Sequence, residues 1–113
     1  METIFHKIIK KEISAKILFE DDDVIAFEDI EAVAPVHYLV VPKTDLESLG
    51  SATSNDVEIL GKVMLACKRV AEIKGLIETG FRVVLNSGEG AGQSVFQLHA
   101  HVIGGREFKW PPG

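Results

Sequence analysis

Cysteine is nearly absent: Cys67 is the only one among 113 residues. No disulfide can close within the chain, and a CxxC zinc framework is excluded. Basic residues are also few, 12 Lys and Arg against 17 Asp and Glu, for a net charge of −5. A generic nucleic-acid binder carries a basic field, so that class is set aside. One small phosphorylated ligand stays open, because backbone amides can hold a phosphate whatever the net charge. No apolar run nears the roughly 20 residues of a membrane span. The N-terminus METIFHKIIKKE has charges every few residues and no apolar core of a signal peptide. The expected setting is a reducing cytoplasm without membrane attachment. There is no repeat, low-complexity tract or linker, so one domain over residues 1–113 is expected, with an apolar fraction of 46% supplying its core.

The pattern along the chain predicts an α+β fold, an antiparallel sheet of about five strands with one long helix and a short N-terminal one. Ile4, Phe5, Ile8 and Ile9 fit a short amphipathic helix. Strands are expected at 15–20, 24–29, 36–41, 81–86 and 95–103, with Asp21-Asp22-Asp23 as a solvated turn rather than a cation site. Residues 54–74 read as the main helix, capped by Asn55 with Glu58 and ended by Gly75. Its apolar stripe runs through Val57, Leu60, Val63, Met64, Cys67, Val70 and Ala71, which makes Cys67 a buried structural thiol. The tail Trp110-Pro-Pro-Gly113 fits neither helix nor central strand.

Chemistry concentrates in QSVFQLHAHVIGG, residues 93–105. On a strand, Gln97, His99 and His101 fall on one face. Two imidazoles about 6.5–7 Å apart along such a face can address one small group such as a phosphate. Imidazole serves as nucleophile, general acid or donor near neutral pH. A metal reading needs a third ligand, for which His37 is the obvious candidate. The preceding loop, Ser87-Gly-Glu-Gly-Ala-Gly92, lets backbone amides approach an anion, although it lacks Walker-type spacing. Asn86 and Ser94 flank it and can donate hydrogen bonds to phosphoryl oxygens or a leaving group.

These residues, together with the long ordered stretches IFHKIIKKEISAKILFEDDDVIAFEDI, APVHYLVVPK, GFRVVLNSGEGAGQSV and HVIGGREFKWPPG, resemble the histidine-triad (HIT) superfamily, specifically its Hint branch of nucleotide-binding phosphoramidases. The resemblance implies a homodimer of HIT-like α+β subunits, each with a nucleotide cleft. It implies that His99 attacks the α-phosphorus to form a nucleotidyl-imidazole, which water then hydrolyses, and that His101 binds the phosphate. Asn86, Gly92 and Ser94 match phosphate contacts, with Ser94 near the leaving group. Phe5, Ile8, Phe27 and Ile30 match the base pocket, and Asp29 the ribose-binding acid. Trp110 matches a tryptophan that approaches the partner subunit's site, and His37 a fourth histidine outside the motif. No metal or other cofactor is required for this chemistry.

Two departures follow. The first triad position is Gln97, where the family places a histidine expected to contact His37; glutamine hydrogen-bonds but does not titrate. Retained nucleotide binding with weakened turnover is therefore expected. The alternative to an enzyme is a nucleotide-binding interaction module. Zinc-bearing relatives carry a Cys-x-x-Cys pair that joins two histidines; this chain has Thr3 and His6 there, and Gln97 replaces another ligand, so no structural zinc is expected.

Overall fold

A computed structural model describes residues 2–113. Helix α1 is Ile4–Ile9, and the long helix α2 is Val57–Ile73. The strands are β1 (Ile17–Glu20), β2 (Val24–Glu28), β3 (Val36–Pro42), β4 (Phe81–Val84) and β5 (Ala100–Gly104). They form one antiparallel sheet in the order β1-β2-β3-β5-β4.

Alternation along the central strands gives the sheet two buried faces. One face carries Val24, Ala26, Tyr38, Val40, Ala100 and Val102, and packs against Val63, Ala66, Cys67 and Val70 of α2. The opposite face carries Ile25, Phe27, Leu39 and Val41, and is covered by Phe5 and Ile8 of α1. Leu39 lies opposite His101, so the histidine chemistry belongs to the α1 face. Cys67 is buried against the sheet, and burial pushes its thiol up to about 12, which leaves it unreactive at neutral pH.

The Asp21–Asp23 turn forms as expected, with Asp21 accepting from the amides of Asp23 and Val24. Those two bonds hold its carboxyl below the usual range. Three expectations need correction. The helix begins after a 3-10 turn at Ser54–Asp56, and its capping box pairs Thr53 with Asp56 rather than Asn55 with Glu58. Thr53 accepts from Asn55 N–H while Asp56 accepts from Thr53 N–H, so the polar pair sits one turn earlier. Val57 and Met64 are exposed, and Ala66 takes the core position instead. Finally, β5 starts at Ala100: residues 95–97 bend, which removes the alternation expected to align Gln97 with the two histidines.

Candidate active site

His99 sits at the entrance to β5 and His101 within it, with ring centroids 5.2 Å apart. Phe5 of α1 meets the His99 ring edge-on at 4.9 Å. The His99 Nδ1 atom is 2.8 Å from the carbonyl oxygen of Gln97. A carbonyl only accepts, so Nδ1 carries the proton and Nε2 keeps its lone pair. Burial lowers the basicity of His99, and the Gln97 carbonyl only partly opposes this. His99 is thereby a neutral imidazole with a free nucleophilic nitrogen.

The second chain of bonds begins in the backbone. Val33 N–H donates to His37 Nδ1 at 3.1 Å, which places the His37 proton on Nε2. That atom lies 2.9 Å from His101 Nδ1 and 3.2 Å from Asp29 Oδ2. His101 therefore accepts at Nδ1 and carries its own proton on Nε2. Burial, then the neighbouring His99 and His37, pushes His101 down to about 4; burial likewise lowers His37. Both rings are neutral at pH 7, and His101 is a fixed-tautomer donor.

Asp29, His37 and His101 also form a cluster whose ligand atoms lie within 4.8 Å of one another. A metal on that cluster would need the His37 Nε2 lone pair, yet the Val33 amide already requires the proton to be there. The cluster fits a hydrogen-bond relay better than a cation site.

A pocket of about 310 Å³ opens beside His99, within the range of small-molecule sites. Phe5, Ile8, Phe27, Asp29 and Ile30, all expected around the nucleoside, line it. Ser94 and His99 line it as well. Ile30 is a rim residue, 96% exposed, whereas Phe5, Ile8 and Phe27 are buried. Asp29 lines the pocket through one side and touches His37 with Oδ2, while Oδ1 accepts from Glu31 N–H.

The glycine loop lies outside the pocket lining, which it reaches in the chain only at Ser94 and Val95. Gly92 adopts φ +94°, a left-handed conformation that disfavours a side chain, and a Cβ there would lie 3.8 Å from Asn86 Nδ2. Gly92 and Asn86 are thus neighbours. Trp110 is 83% exposed in the tail, remote in sequence from the pocket-lining segments.

Gln97 is elsewhere. Its Nε2 donates to the carbonyls of Pro42 and Thr44, each at 2.9 Å, and its side chain is 1% exposed. Contact with His37 is precluded by register: His37 opposes Ile103, and Pro42 lies five residues on, about 17 Å along β3. Three contributors had no pattern in the sequence to mark them. Val33 acts through its peptide N–H, Thr44 through its carbonyl, and Gln93 by pinning the loop, accepting from Gly88 N–H and donating to the carbonyls of Glu47 and Val95.

Residues 10–108 match the model of the HIT domain. A protein of Arabidopsis thaliana named adenylylsulfatase HINT1 is 49% identical over 98% of this chain and 76% of its own length. A 14 kDa zinc-binding protein of Zea mays is 48% identical over 98% of this chain and 88% of its own length. The crystal structure of a HIT family hydrolase from Legionella pneumophila superposes with a TM-score of 0.96 at 39% identity, covering 99% of this chain and all of that one. With a matching domain model over most of its length and relatives near half identity, the chain belongs to the histidine-triad (HIT) family.

Proposed function

We propose that the protein is a nucleotide-binding hydrolase that cleaves the phosphorus–nitrogen bond of purine nucleoside phosphoramidates or related adenylates. The observation that carries this reading is the pair of fixed tautomers: His99 offers a lone pair at Nε2 while His101, a ring away, offers an N–H. The base and ribose would occupy the pocket lined by Phe5, Ile8, Phe27 and Asp29, which sets the α-phosphorus beside His99. Nε2 of His99 attacks; its bond to phosphorus forms as the phosphorus–nitrogen bond breaks, and the departing amine takes its proton from the Ser94 hydroxyl, which is reprotonated by the water that attacks in the second step. The His101 N–H, with Asn86 and the amides around Gly92, stabilises the phosphoryl oxygens. Water then displaces His99 and releases the nucleoside monophosphate. The Arabidopsis relative is named an adenylylsulfatase, which is in keeping with a hydrolase acting on adenylates.

The test is hydrolysis of an adenosine phosphoramidate by the protein and by His99→Ala. Loss of the nucleophile is expected to reduce kcat by at least about 10³-fold, with adenosine monophosphate still bound. Turnover equal in both proteins would overturn the assignment. The reading also includes a homodimer, supported by the open edge at β4 and by exposed apolar residues on α2.

A further inference from the structure

On the far side of α1 from the nucleoside pocket lies a second pocket, walled by Thr3, His6, Asp45, Phe96 and Gln97. Positions 3, 6 and 97, where the sequence departs from the zinc-bearing pattern, therefore meet in one place. The residues present do not fit a zinc ion. Thr3 is a poor ligand, and Gln97 commits both amide protons to carbonyls. Among the described residues, the ligand atoms of His6, Asp45 and Glu47 do not converge as a metal-binding group.

What replaces coordination is a set of directed hydrogen bonds. Thr3 N–H donates to His6 Nδ1 at 2.9 Å, so His6 carries its proton on Nε2, which lies 2.9 Å from Asp45 Oδ1. This ties α1 to the segment that follows β3. The same segment holds the histidine strand: Gln97 takes the carbonyls of Pro42 and Thr44, Leu98 N–H donates to Leu46 at 2.7 Å, and Gln93 takes Glu47. Both supports of His99, the Phe5 ring and the Gln97 carbonyl, thus hang from residues 42–47.

We infer that this pocket is a metal-free clamp, in which His6–Asp45 and the Gln97 amide brace α1 and the histidine strand against residues 42–47, and that Gln97 is a positioning residue for His99. Gln97 is accordingly suited to its place and is not a weakened member of the reacting set. In kinetic terms this rests on the hydrolase reading, but the binding and metal measurements below do not.

Three measurements test it. His6→Ala and Asp45→Ala are each expected to weaken adenosine monophosphate binding about threefold, and the double variant no more than either alone. Additive losses, or none, would overturn the clamp. Zinc chloride is expected to leave Tm unchanged and to stay substoichiometric in metal analysis; one zinc per chain would overturn it. Gln97→Leu, which cannot donate to the two carbonyls, is expected to lower kcat about tenfold and shift the His99 Nδ1–H resonance. Gln97→His is expected to give no gain over the natural chain, and a tenfold gain in kcat would restore the view of Gln97 as a catalytic defect. Absence of turnover in every variant would count against the hydrolase reading alone.

Discussion

At the scale of single residues, protonation decides the chemistry. His99 is useful as a nucleophile only while neutral, and burial holds its proton affinity below the ordinary histidine value. The sign follows directly: a lowered value keeps the ring neutral further into the acid range. The kcat/KM profile is expected to be flat through neutral pH and to fall with a midpoint below the usual value of about 6.5. A midpoint at or above that value would contradict the burial argument. The histidine pair and the glycine loop were legible in the sequence because both are unusual in a chain with four histidines. The tautomers were not legible, since they are set by the Val33 N–H and the Gln97 carbonyl, backbone groups that almost any residue type supplies.

At the scale of elements, the site is a product of where α1 lands. Its short amphipathic pattern was readable, but six residues are too few to form a stable helix in isolation. Burial of Phe5 and Ile8 against Ile25, Phe27 and Leu39 is what holds it. Ile8→Ala is expected to lose about 2–4 kcal/mol of stability by chemical denaturation and to weaken nucleotide binding in parallel. Unchanged binding would mean that α1 does not shape the pocket. The strand at 95–103 was overread for a related reason. Its apolar alternation is real, yet residues 95–97 bend so that Gln93 and Gln97 can reach the carbonyls after β3. Buried amides won over periodicity there, and sequence pattern cannot show which carbonyls will be available.

For the whole molecule, the question is what the sheet leaves open. β4 is a terminal strand and all four of its residues are only half-buried. Met64, Leu65 and Ile73 of α2 are exposed apolar side chains. An unpaired sheet edge and exposed apolar side chains are each common settings for pairing between identical chains. Light scattering is expected to give twice the 12.4 kDa chain mass, and a mass of one chain would refute the dimer. The α+β class and five-strand count followed from the order of apolar segments. The strand order, with β5 inserted between β3 and β4, did not, because it depends on pairings far apart in the chain.

The Val33 amide has a consequence for how such a site tolerates change. A peptide N–H can only give a hydrogen bond, and the Asp29 carboxylate can only receive one. The imidazole pair between and beside them is thereby polarised, with protons ordered in one sense from the main chain toward the outer nitrogen of His101. That order is written at a position whose own side chain is 61% exposed and makes no part of the pocket. Nineteen amino acids share the N–H that sets it, and proline alone lacks it. The most consequential instruction in the site is thus carried by a residue whose identity is almost free to drift.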